Sequence, residues 1–208
     1  MAIEAGASAL GLVSEMPSGP GVISDELAAE IAAAVPPGVD AFLLTAHREV
    51  DALVEQNRRV KARALQLVDA LPDGAHAELR RALPGVKLVQ VIHVTGPSSL
   101  DEAVAVAGAV DAILLDSGNP SLEVKELGGT GRRHDWEISR RIREAVDVPL
   151  YLAGGLNPDN AHEAIETVRP FGLDVCSGLR PGPDFALDPE RLERFVAAGA
   201  GGASPRMA

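Results

Sequence analysis

The feature that most constrains this chain is a repeat: a short apolar run, a turn, then an amphipathic stretch of helical period. The runs are residues 8–13, 40–46, 62–68, 86–94, 110–115, 149–153 and 173–176. They read as continuous hydrophobic segments, not as alternating apolar and polar positions. Such strands are buried on both faces, which a parallel sheet covered by helices provides. The intervening stretches carry helix signals. Ser24 is a capping residue with Asp25 and Glu26 in the first turn, and Pro36-Pro37 stop that helix. Ser98, with Asp101 three residues on, predicts a capping box for a helix to residue 107. Asn157 with Pro158 predicts a cap followed by a first helical position. Further helices are expected over 50–59, 75–83, 135–145 and 187–198. Residues 1–6 read as the last turn of a helix stopped by Gly6.

Seven strands, each followed by a helix, leave two architectures. An open doubly wound sheet places its phosphate loop after the first strand. The first β–α loop here, residues 14–22, is neither Walker-like nor of the G-x-G-x-x-G type. The glycine loops instead follow the last three strands, where a (β/α)8 TIM barrel builds its active site. The fold class expected is therefore α/β, a (β/α)8 barrel in which the first strand and most of the first helix are missing. Residues 1–198 form a single domain in this reading, and 199–208 a disordered C-terminal tail.

The chain's 208 residues are enough to bury a full core. A net charge of −11 without a basic stripe argues against nucleic acid as a partner. It does not argue against a phosphorylated small molecule, because backbone amides bind phosphate without side-chain charge. One cysteine, Cys176, leaves no internal disulfide and fits a cytoplasmic location. No apolar run approaches the ~18–20 residues of a membrane helix, so no membrane partner is expected. The N-terminus lacks the basic and apolar regions of a secretory signal. His47, His76, His93, His134 and His162 show no ligand spacing, and neither a metal nor a cofactor is expected.

Residues 110–136 hold the most chemistry. An apolar strand ends on Asp116, a loop closes in Gly128-Gly129-Thr130-Gly131, and a helix starts near His134-Asp135-Trp136. Backbone N–H groups beside glycines, just ahead of a helix, make an anion seat. An acid at a strand's C-terminal end facing that seat is how a barrel presents a proton donor to a phosphorylated substrate. The plainer alternative is a surface loop whose glycines only turn the chain. His93 near a strand end could face the pocket but reads better as a satisfied core histidine. Trp136 reads as packing that anchors the loop. Arg132 and Arg180 are candidate cations for a substrate carboxylate, or simply solvated loop arginines.

The segments LLDS…GGTGRRHDW, YLAGGLNPDN and LDVCSGLR, in that order and spacing, resemble the phosphoribosylanthranilate isomerase family of tryptophan biosynthesis. AGASALGLV near the start resembles that family's second strand. The resemblance implies an Amadori rearrangement of an N-(5-phosphoribosyl) amine, a small phosphorylated sugar-amine, to the aminoketose phosphate. A general acid opens the ribose ring to a Schiff base, and a general base then removes the proton from the sugar's C2. On this resemblance Asp116 stands at the general acid. Gly154, Gly155, Ser177 and Gly178 stand at the phosphate grip, and Gly129, Thr130, Gly131 and Arg132 in the loop that closes over the sugar, with Arg180 as a further substrate contact. A monomer or homodimer is expected.

The chain also departs from the family pattern. The family's first strand carries a Lys-Ile-Cys-Gly motif whose cysteine is the base, and no such motif is present here. Cys176 falls in the last strand's motif and is expected to pack as a small buried hydrophobe. Met16-Pro17-Ser18-Gly19-Pro20-Gly21 replaces a Ser-Pro-Arg, Gln66-Leu67-Val68-Asp69 replaces a Gln-Leu-His-Gly, and Arg180 replaces a glutamate. These changes bear on the aromatic half of the substrate more than on the phosphosugar half. Either Met1 is internal to a longer protein that carries strand one, which is the favoured expectation, or the barrel lacks a stave. In both cases the 208 residues alone are expected to have little isomerase activity. A phosphosugar-binding barrel with another aglycone and a non-catalytic phosphate-ligand protein are the alternatives.

Overall fold

A computed structural model describes residues 1–17, 19–127, 131–200 and 206–207. Seven β–α units follow one another. The strands are β1 (Ala9–Val13), β2 (Asp40–Thr45), β3 (Ala64–Leu67), β4 (Lys87–His93), β5 (Ala112–Asp116), β6 (Leu150–Leu152) and β7 (Gly172–Leu173). The helices are α1 (Asp25–Ala34), α2 (Val50–Val60), α3 (Ala75–Ala82), α4 (Ser99–Ala107), α5 (Trp136–Ala145), α6 (Ala161–Val168) and α7 (Pro189–Ala200). All pairings are parallel and in sequence order, and an eighth strand, β8 (Arg206–Met207), pairs with β7. The parallel curl of strand and helix is the barrel architecture that the repeat implied. Among the described residues no pairing joins β8 to β1.

The apolar strand runs are explained by two distinct cores. Leu43, Leu65, Leu67, Ile113, Leu115, Leu150 and Leu152 point outward and pack beneath the helices. Phe42, Ala64, Val89, Val91, Ala112, Leu114 and Ala153 point inward and fill the barrel axis. Strand residues two apart share a face, so both sets are needed and no position is left for a polar alternation. The helix-facing layer is the larger, and Leu43, Leu65, Ile113, Leu115 and Phe195 have no measurable exposure.

Several local signals differ from the sequence expectation. Ser24 caps α1 as expected, its Oγ accepting from the Leu27 amide at 3.3 Å. Ser98 makes no cap; its backbone is already helical. Ser99 takes the polar role instead, accepting from the Thr95 amide at 3.2 Å and donating to the His93 carbonyl at 3.2 Å. Asn157 does not cap α6 either. It accepts from the Asp159 amide at 2.9 Å in a separate turn, and α6 begins at Ala161. Residues 2–6 form hydrogen-bonded turns and not a helix: the Ala5 amide donates to Met1 and the Ala7 amide to Ala2, with Gly6 at φ +108°. The helix α7 runs to Ala200, past the boundary expected for the ordered domain, and Arg206–Met207 form a strand where a tail was expected.

Candidate active site

The end of the barrel where the strands finish is built by register. His93 on β4 pairs with Asp116 on β5, and both are buried. Asp116 follows Ala112 and Leu114 at steps of two, so it shares their inward face. Its carboxylate accepts from the Ser117 amide at 2.7 Å. Burial pushes the Asp116 carboxyl up, against the opposing pull of the Ser117 amide and of His93. His93 donates through Nε2 to the Val68 carbonyl at 2.9 Å, which leaves Nδ1 as a buried atom without a partner among the described residues. Only glycine fits at 118, because a Cβ there would sit 2.4 Å from His93 Nδ1.

A cavity of about 380 Å³ opens at this end, walled by apolar residues and by Gln66, Asp116, Asp174, Cys176 and Arg180. A smaller recess adjoins it, lined by Gly131, Gly154, Gly155 and Ser177 and sharing Asp116, Asp174 and Cys176 with the larger one. Burial, then the charge of Asp116, pushes the Asp174 carboxyl up to about 7.

The recess is made by three loops pressed together. Gly154 and Gly155 take φ of +82° and +66°. A Cβ on Gly155 would lie 2.6 Å from the Arg132 carbonyl carbon, and one on Gly178 only 1.8 Å from the Leu156 oxygen. The loops after β5, β6 and β7 therefore touch through backbone. Among the described residues the amides of Gly154, Gly155 and Ser177 donate to no protein acceptor, and Gly131 brings its own backbone near Ser177 Oγ. Amides without a protein acceptor beside a glycine-lined recess suit an anion.

The residues singled out from sequence are not all brought together. Asp116, Gly131, Gly154, Gly155 and Ser177 line the recess, and Gly178 lies against the loop behind it. Gly129 and Thr130 lie outside the described residues. Arg132 lines neither cavity and pairs with Glu126. Arg180 does line the large cavity, donating to the Phe185 carbonyl at 2.9 Å and resting 5.3 Å from its ring. Cys176 is exposed and on the cavity wall, not packed in the core as expected, because the strand stops at Leu173. Although the residue reaches solvent, the atoms crowded around its sulfur partly desolvate it, and this, then the Asp174 charge, pushes its thiol up. Trp136 packs at the start of α5 with the Arg133 guanidinium 3.5 Å over its ring. Sequence reasoning missed Asp174 and Gln66. The signal for both was their step-of-two spacing from inward neighbours, Gly172 and Ala64.

A family model described as N-(5'phosphoribosyl)anthranilate (PRA) isomerase matches residues 2–182. The chain belongs to the phosphoribosylanthranilate isomerase family. Curated family members resemble it over most of both chains. The isomerase of Haloferax volcanii is 40% identical over 195 residues, 93% of this chain and 84% of its own length. That of Methanocella arvoryzae is 35% identical over 174 residues, 84% of this chain and 79% of its own. The crystal structure of the Thermotoga maritima isomerase superposes with a TM-score of 0.80 at 28% identity, covering 96% of this chain and 91% of that one. Another isomerase structure, in complex with reduced 1-(o-carboxyphenylamino)-1-deoxyribulose 5-phosphate, gives a TM-score of 0.78 at 26% identity, with coverage of 96% and 91%. The function of this phosphoribosylanthranilate isomerase family member is the isomerisation that gives the family its name, a step of tryptophan biosynthesis.

Proposed function

We propose that the phosphoribosyl amine lies across the two cavities, its phosphate in the small recess and its sugar beside Asp116. The observation that carries this reading is the recess itself: Gly154, Gly155 and Ser177, whose amides have no protein acceptor among the described residues, line one volume together with Asp116. Amides supply the donors for a dianion in a recess whose described lining holds no Lys or Arg. Asp116 then acts as general acid. Its buried carboxyl favours the protonated form, which is the form that can hand a proton to the ribose ring oxygen. The apolar walls of the larger cavity take the aromatic ring, and Arg180 is the cation that meets its carboxylate. Gly129, Thr130 and Gly131 belong in this proposal to the loop that covers the sugar and excludes water. The site works in the cytoplasm, as a monomer or homodimer.

Titration calorimetry with the reduced product analogue tests the placement. The unmutated chain binds it, Gly155→Ala abolishes binding by driving a Cβ into the Arg132 backbone, and Asp116→Asn binds within threefold but loses turnover by about 10²–10⁴-fold. Equal turnover by Asp116→Asn would remove the acid from the mechanism.

A further inference from the structure

The side chain that stands next to Asp116 lies in neither cavity. His93 follows Val89 and Val91 on β4 at steps of two, so it shares their inward face. Register sets it against Asp116 on the neighbouring strand, where backbones run roughly 5 Å apart. The ladder continues past the pair, since the Val94 amide donates to the Asp116 carbonyl at 2.9 Å. Asp116 lines both cavities and His93 neither, so the imidazole stands behind the acid. Three contacts hold it there. Nε2 donates to the Val68 carbonyl, just past the end of β3, at 2.9 Å. The Ser99 hydroxyl donates to the His93 carbonyl at 3.2 Å. The Gly118 backbone closes over the ring so tightly that a Cβ there would lie 2.4 Å from Nδ1 and 2.3 Å from the Glu126 oxygen. His93 keeps 7% of its surface exposed and Asp116 9%, so the pair is nearly dry. A carbonyl only accepts, so Nε2 carries the hydrogen and Nδ1, which has no partner among the described residues, the lone pair. A charged ring so close would favour the Asp116 carboxylate. The neutral tautomer leaves burial in control.

We propose that His93 is the positioning residue of the general acid: its neutral ring fills the corner between β3, β4 and the loop after β5, and keeps water from reaching Asp116 from behind. This rests on the isomerase reading of the site for the role of Asp116, while the packing of the pair involves no substrate. Removing the imidazole would open a space bordered by the Val68 carbonyl, the Asp116 carboxyl and the Glu126 carbonyl. Polar groups of that kind hold a water. A water there would solvate the carboxylate and favour the ionised form, which cannot give a proton to a ring oxygen. Among the described residues, the titratable and charged groups facing Asp116 from other elements are His93 on β4 and, across the cavities, Asp174, Cys176 and Arg180 after β7. Those three border the ligand space. His93 alone closes the far side.

The test is the ¹³C carboxyl titration of Asp116 in the full 208-residue chain without ligand, assigned by the signal lost in Asp116→Asn. It is read in the unmutated chain, His93→Gln and His93→Ala. The unmutated chain should titrate above the ordinary carboxylate range, as burial dictates. His93→Gln keeps a donor for the Val68 carbonyl and most of the volume, so its midpoint should not fall below the unmutated one. His93→Ala admits water, and its midpoint should drop toward the ordinary range. A histidine that only stabilised the fold would lower the urea midpoint in both variants and leave the Asp116 titration in place, which overturns the proposal. An equal downward shift in His93→Gln and His93→Ala overturns it too. The ¹⁵N shifts of the His93 ring in the unmutated chain give a second reading that holds even where His93→Ala does not fold. A neutral Nε2–H ring at pH 7.5 supports the proposal, and an imidazolium or an Nδ1–H tautomer overturns it. Calorimetry with the reduced product analogue is run alongside. Failure of the unmutated chain to bind it overturns the isomerase reading, a result separate from the ligand-free titration of the pair.

Discussion

At the scale of single residues, Arg180 sets the next prediction. It borders the cavity, yet it spends one donor on the Phe185 carbonyl and rests against that ring. A guanidinium has five donors, so enough remain to fork onto a carboxylate. Arg180→Ala should raise KM about tenfold or more for a carboxylated substrate, since charge-assisted bonds contribute about 1.5–3 kcal/mol. Binding of ribose 5-phosphate should be unchanged. Arg180→Lys should recover little, because a point charge cannot form the fork. Equal losses for both ligands would assign Arg180 to holding the Phe185 loop instead. Asp116 was legible in the sequence because an acid ended an apolar run. Asp174 was not, since its step-of-two spacing from Gly172 becomes a signal only once Leu173 is seen to pair with Leu152 and pack outward beneath the helices.

Among the elements, the β–α order could be read off the chain because each strand is buried on both sides. Helix starts were read less well. Ser98 and Asn157 carry the right residue types for caps, but neither is used that way. A cap needs an extended backbone at its own position, and Ser98 lies in the helical region. The buried Ser99 hydroxyl ties the end of β4 to the start of α4. Ser99→Ala leaves the Thr95 amide without its acceptor and should cost about 1–3 kcal/mol. Ser98→Ala should cost under about 0.5 kcal/mol, as an unbonded surface change. Urea denaturation of the two variants decides between them, and equal midpoints would show that the β4–α4 tie contributes nothing.

The whole molecule adds what no segment shows by itself. Arg206–Met207 lie beside β7, and a strand that short has no periodicity to read. The molecule also carries opposed proton linkages. Asp174 rises from 3.8 to about 7 on folding, so between those values the folded state holds more protons than the unfolded chain. Its contribution is greatest below 3.8 and is lost as pH climbs toward 7. Burial raises Asp116 with the same sign. His134 runs the other way. Burial lowers it from 6.5 to about 4, so the unfolded chain holds the extra proton in that window and stability grows as pH rises through it. Asp135 and Arg133 flank His134 with opposing charges, and Ser139 accepts from its Nε2 at 2.8 Å. Asp174 faces Asp116 from β5 and Cys176 and Arg180 from its own loop. Between pH 4 and 6.5 the His134 slope offsets only part of the two carboxylate slopes, and above 6.5 only the carboxylates act. Calorimetric Tm of the unmutated chain should therefore fall with rising pH, less steeply below pH 6.5 than between 6.5 and 7. Asp174→Asn should match it near pH 4, fall less steeply with rising pH, and exceed it at pH 7.5. His134→Gln should lose Tm across the whole range. Parallel curves for Asp174→Asn and the unmutated chain would mean that Asp174 meets water freely, and the paired-carboxylate cavity would lose its physical basis.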